Sequence, residues 1–126
     1  MSQHPFPPGF LAVSAALTLS LLLACGGGTY SPSCKRAVDV TAPWTGLRLP
    51  VSEGRVCSST PTRLEVQFTK GNREKWAGAF ESALLGEGFS KKSCASNYCS
   101  FERGPERIQV IALETAKWRS VVLNKL

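Results

Sequence analysis

The stretch from Tyr98 to Asn124 leaves this chain few ways to fold. Cys99 and Phe101 alternate with polar neighbours, Ile108 and Val110 do the same, and Gly104-Pro105 stands between the two runs. Alternation with a period of two marks strands with a buried face. Gly104 can take the positive φ of the first position in a type II′ turn, and the fixed φ of Pro105 suits the second. A tight antiparallel hairpin follows, with Phe101 opposite Ile108, Cys99 opposite Val110 and Glu102 opposite Arg107. A four-residue loop over 114–117 then leads to a strand from Trp118 to Asn124. It sets Leu113 opposite Trp118 and Val110 opposite Val121.

This register gives the sheet two apolar faces. One carries Cys99, Phe101, Ile108, Val110, Ala112, Val121 and Leu123. The other carries Ile111, Leu113, Trp118 and Val122, with Glu102, Arg107 and Gln109 toward one end. Upstream, Leu64, Val66 and Phe68 alternate with Glu65 and Gln67, which predicts a strand over 63–69. Asn72 is a good N-cap and Glu74 sits in the first turn. Trp76, Ala79, Phe80, Ala83 and Leu84 recur at spacings of three and four, so a helix runs to about Leu85 and ends at Gly86 and Gly88. Trp76 and Phe80 could stack on a ligand, but their spacing reads as core. The expected fold is α+β: one helix on a small antiparallel sheet, in the order β-α-β-β-β. A short strand from Phe89 through Cys94 precedes the hairpin, and an irregular segment, Cys34 to Val51, punctuated by Pro43, Gly46 and Pro50, leads the domain.

One helix covers one face. The second is either covered by Trp44 to Val51 folding across it, or it is a partner patch around Trp118, Leu113, Ile111 and Val122.

The N-terminal run from Phe10 to Leu23 has 14 uncharged residues. That suits the apolar region of a secretory signal and is short for a membrane-spanning helix, which needs ~20 residues. It ends in Leu22-Leu23-Ala24-Cys25, which resembles the lipobox of bacterial lipoprotein precursors. The resemblance implies a diacylglyceryl thioether on Cys25 and cleavage between Ala24 and Cys25. It divides the chain into a signal peptide (1–24), a lipidated Cys with a flexible Gly/Ser tether (25–33) and one small domain (34–126). No Lys or Arg precedes Phe10, so the usual basic start of such a signal is missing. Gly26 stands where an Asp in related lipoproteins favours the inner membrane, so the outer membrane is the expected site. More loosely, residues 43–126 resemble uncharacterised small domains of bacterial lipoproteins, through Trp44 to Pro50, Val56 to Ser59, Gly88-Phe89 and Phe101 to Leu123. That resemblance implies no known activity.

With Cys25 set aside, Cys34, Cys57, Cys94 and Cys99 remain, an even count that reads as two disulfides in an exported domain. Cys57–Cys94 and Cys34–Cys99 are the expected pairs, with local pairing of Cys94 and Cys99 as the competitor. Zinc is disfavoured, because no C-x₂-C spacing occurs. All 15 Lys/Arg and all 9 Asp/Glu follow Cys25, giving the mature part its net +6. This spread excess suits a solvated surface, or attraction to anionic lipid or cell-wall polymer. No basic run with interleaved aromatics points to nucleic acid.

The chemistry is sparse. His4, the one histidine, lies in the expected signal, so the mature part has no Ser-His-Asp, Cys-His or histidine-based metal arrangement. Asp39 is a loop charge, the glutamates fall on polar faces and turns, Gly26-Gly27-Gly28 lacks the Lys-Ser/Thr of a phosphate loop, and Ser90-Lys91 is too common a dipeptide to read as a dyad. No catalytic residue, cofactor or metal is expected. The expected function is a lipid-anchored envelope protein with a non-catalytic binding or accessory role. Its partners would be the membrane, through Cys25, and an envelope protein or cell-wall polymer. The alternatives are a small lipid-anchored enzyme without histidine and an inhibitor or immunity-type partner.

Overall fold

The structure, a computed structural model, describes residues 28–126. It places β1 at Arg55–Thr60, β2 at Arg63–Phe68, α1 at Arg73–Gly86, β3 at Ser90–Cys94, β4 at Tyr98–Arg103, β5 at Glu106–Glu114 and β6 at Arg119–Lys125. The strands form one sheet in the order β1-β2-β6-β5-β4-β3, and every neighbouring pair is antiparallel. The class is α+β as expected, but the order is β-β-α-β-β-β-β. The two additions to that order are edge strands. β3 is the short strand expected from Phe89 through Cys94, whereas β1 is unexpected: only its Val56 is buried, so it lacks the alternation that reveals a strand.

The β4–β5 hairpin has the expected register around Gly104, whose φ is +59°. The β5–β6 pair does not. Glu114 faces Arg119 and Val110 faces Leu123, a slip of two residues from the expected pairing. The cause is Thr115. Its hydroxyl accepts the N–H groups of Lys117 (3.2 Å) and Trp118 (3.0 Å), and its own N–H donates to the Trp118 carbonyl (2.9 Å). The loop is therefore 115–118. A slip of two keeps each side chain on its face, so both faces survive the correction.

Helix α1 starts at Asn72, whose side-chain oxygen accepts the Lys75 N–H at 2.8 Å. It ends where Gly88 takes φ +94° and the Phe89 N–H returns to the Leu84 carbonyl. Trp76, Phe80 and Leu84 are buried against the sheet, and Trp76 stacks on Phe68 with centroids 3.8 Å apart. These rings are core, not a ligand platform.

The leading segment differs from expectation. From Val38 to Trp44 it follows the outer edge of β1. The Val38 N–H donates to the Val56 carbonyl, the Thr41 N–H to Ser59 Oγ, and Trp44 Nε1 to the Thr60 carbonyl at 2.6 Å. A 3₁₀ turn, Trp44–Gly46, then carries the chain onto the face that holds α1. Trp44 is 1% exposed there, in one core with Val56, Leu64 and Leu123, and Leu47, Leu49 and Val51 pack against that core. Trp44 to Val51 therefore does not cross the second face. Helix α1 packs on β3, β5 and β6 and meets β2 at Phe68, which leaves an apolar hollow over β1 and the rest of β2. The second face of those strands is polar: Ser58, Arg63, Glu65 and Gln67. A tryptophan gains far more by filling the hollow.

The disulfides are Cys34–Cys57 and Cys94–Cys99, so neither expected pair forms. Strand order explains this. Cys57 lies on β1 and Cys94 on β3, five strand spacings apart, or about 24 Å. A disulfide needs Cα atoms within ~7 Å. Cys34 and Cys99 are separated for the same reason. Cys57 instead occupies the bulge in β1, with its Cα 5.0 Å from that of Cys34, and Cys94 directly faces Cys99 across the β3–β4 ladder.

Candidate functional site

The second face divides into two ends. One is polar: Arg63 pairs with Glu65, Arg107 with Glu102, and Gln109 and Asn124 lie between. The other is apolar. Tyr98 faces Ile111 on neighbouring strands, and Ile111 faces Val122. Leu113 is 45% exposed and Tyr98 38%, Ile111 and Trp118 are half-buried, and Val122 is 7% exposed. Three of the four expected patch residues thus reach the surface together, at the end of the sheet where β6 begins. Val122 contributes the floor. Tyr98 belongs to the patch as well, and the hairpin register already placed it opposite Ile111.

Gln67 carries a feature the sequence did not signal. It sits on the second face at 2% exposure and binds the N-terminal segment. Its Oε1 accepts the Ser31 N–H at 2.9 Å, and its Nε2 donates to Ser31 Oγ at 2.8 Å and to Glu65 Oε2 at 3.1 Å. The Thr29 N–H donates to the Lys117 carbonyl at 3.1 Å, and the Arg55 guanidinium lies over the Tyr30 ring at 4.1 Å. Gly28 passes so close to the carbonyls of Lys117 and Thr69 that a Cβ there would collide with both. The expected free tether over 25–33 is therefore corrected: residues 28–33 are docked, because a buried amide must satisfy its donors and acceptor. Between this segment and the 115–118 loop runs a shallow groove, with Tyr30, Pro32 and Trp118 among its walls.

Cys25, Ala24 and the rest of the lipobox lie outside the described residues. A second feature is a cleft of about 170 Å³ between the first turns of α1 and the start of β4, lined by Arg73, Ala77, Glu81, Asn97, Tyr98 and Phe101. Ligand pockets usually run to ~300–1,000 Å³, so this cleft admits small groups only. Comparison of the chain with known protein families, with curated proteins and with solved structures finds no match. The chemistry of the site therefore rests on its own geometry. Cys34, Cys57, Cys94 and Cys99 are all spent in disulfides, which leaves no thiolate among them for a metal. Among the described residues, no three His, Cys, Asp or Glu side chains converge, and no helix is long and apolar enough to cross a membrane. What the second face offers is a contact surface: an aromatic and aliphatic patch beside the point where the N-terminal segment leaves the domain.

Proposed function

We propose that this chain is a lipid-anchored protein of the bacterial cell envelope, with a binding or accessory role and no catalytic one. The observation that carries the reading is the division of its cysteines. The two disulfides use four of the five, and the fifth, Cys25, is the last residue of the lipobox-like Leu22-Leu23-Ala24-Cys25. Structural disulfides suit an oxidising compartment outside the cytosol, which agrees with an export signal ahead of the domain. Acyl chains on Cys25 would each contribute ~0.8 kcal/mol per buried CH₂, and two or more hold a protein stably where one does not. The outer membrane is the proposed site, from Gly26 after the acylated residue. The binding role is read from the apolar end of the second face. An envelope protein or cell-wall polymer is the class of partner beyond the membrane itself.

Metabolic labelling with radioactive palmitate tests the anchor. Wild-type protein is expected to take up label and to sediment with membranes, while Cys25→Ser does neither and keeps its signal. Equal fractionation of the two proteins, with no label in either, refutes the proposal.

A further inference from the structure

We infer that the apolar end of the second face rests directly on the bilayer and that anionic lipid headgroups are its ligand. The inference builds on acylation at Cys25, and it follows from where the described chain begins. Gly28 is fixed between the Lys117 and Thr69 carbonyls. Three peptide links separate it from Cys25, and they span at most about 11 Å when fully extended. A domain of this size has a radius of gyration near 13 Å. The link is shorter than the domain's own radius, so the domain cannot stand clear of the lipid or turn a distant surface toward it. Whatever surrounds Gly28 faces the membrane.

What surrounds Gly28 has the composition of an interfacial surface. Trp118 and Tyr98 are amphipathic rings of the kind that settle at headgroup level, and Leu113 and Ile111 lie beside them. Lys117 adjoins Gly28 itself. Lys70 follows β2 at the same end, and Lys35 and Arg36 follow Cys34, where Arg55 grips the Cys34 and Lys35 carbonyls. Among the described residues, none of these four cations has a carboxylate partner. The acids at this end are each held or lie off the patch: Glu114 by Arg119 and the Arg73 N–H, Glu74 by Arg73, Glu65 by Arg63 and Gln67, and Glu53 precedes β1. An unpaired basic set around an apolar patch matches an anionic lipid surface. The opposite end of the face, where Arg107 pairs with Glu102 and Arg63 lies beside Asn124, points away from it.

Trp118 supplies its own probe, since Trp44 and Trp76 are both buried. The lipoprotein purified from membranes is reconstituted into phosphatidylethanolamine–phosphatidylglycerol vesicles that carry brominated acyl chains. The emission of wild type less that of Trp118→Phe isolates the Trp118 signal. A roughly twofold quenching of that signal by brominated lipid is expected for a ring held at the interface. Leu113→Asp should abolish it, and high salt should weaken it. Unquenched Trp118 in protein whose mass shows acylated Cys25 overturns the docking and leaves the anchor standing. Quenching that is equal on neutral phosphatidylcholine overturns the headgroup preference. If the mass shows a bare Cys25, the anchor reading fails. The chain from Cys25 onward is then coupled through that thiol to a maleimide lipid and measured in the same way. Quenching upholds the docking and its absence refutes it.

Discussion

Removing the two disulfides one at a time should have unequal effects, and the structure says which loss is larger. Cys34–Cys57 closes a span of 23 residues and Cys94–Cys99 a span of 5. On the chain-entropy model the first contributes ~3.4 kcal/mol and the second ~2.1 kcal/mol, a difference of ~1.3 kcal/mol. Packing adds in the same direction. Cys34 is fully buried, whereas Cys94 is exposed and lies in a hairpin whose ladder holds its strands together without the bond. For a domain of about 100 residues, Cys34→Ala/Cys57→Ala should lower Tm by about 15–25 °C, and Cys94→Ala/Cys99→Ala by roughly half as much. Thermal unfolding followed by circular dichroism, in a Cys25→Ser background, measures both. If the Cys94–Cys99 pair proves the costlier to remove, or if a disulfide map joins Cys57 to Cys94, the strand order used here is wrong.

Three further outcomes follow from named contacts. Gln67→Ala should leave the Ser31 N–H without its partner at a cost of ~1–3 kcal/mol, and amide exchange at Thr29 and Ser31 should accelerate before that of the sheet. Gly28→Val should lift the N-terminal segment off the Lys117 and Thr69 carbonyls while the core stays folded, seen as a changed Trp118 emission with Tm nearly constant. Trp44→Ala should cost ~3–5 kcal/mol in urea unfolding, because it empties the hollow over β1 and β2 and frees the Thr60 carbonyl.

The sequence disclosed the elements that repeat a period. The stripe of α1, the alternation in β2 and the Gly104-Pro105 turn could all be read, and the two faces followed from them. Elements whose stability comes from elsewhere stayed hidden. β1 is held by its neighbour on one side and by the Val38–Trp44 segment on the other, and its polar sequence shows neither. With β1 unseen, Cys57 could not be placed at the edge opposite Cys94, so both disulfide expectations failed for one reason. Trp44 was legible as an apolar residue but not as the plug of a hollow, because the hollow exists only once α1 lies over the other half of the face. The patch around Trp118 was legible because a slip of two in β5–β6 leaves faces unchanged. The Gln67 clamp was not, since one polar residue in a strand gives no sign of what it binds.

The two margins of the sheet are guarded differently. Along β1, backbone that would otherwise be bare is occupied by the chain itself and stitched there by Cys34–Cys57. Along β3, the run is short, bulged at Lys92 and studded with lysines. Proteins confined to one plane collide far more often than proteins in solution, and an open strand would recruit its neighbour's. A sheet closed on both flanks can be packed densely on a surface and stay a population of separate molecules.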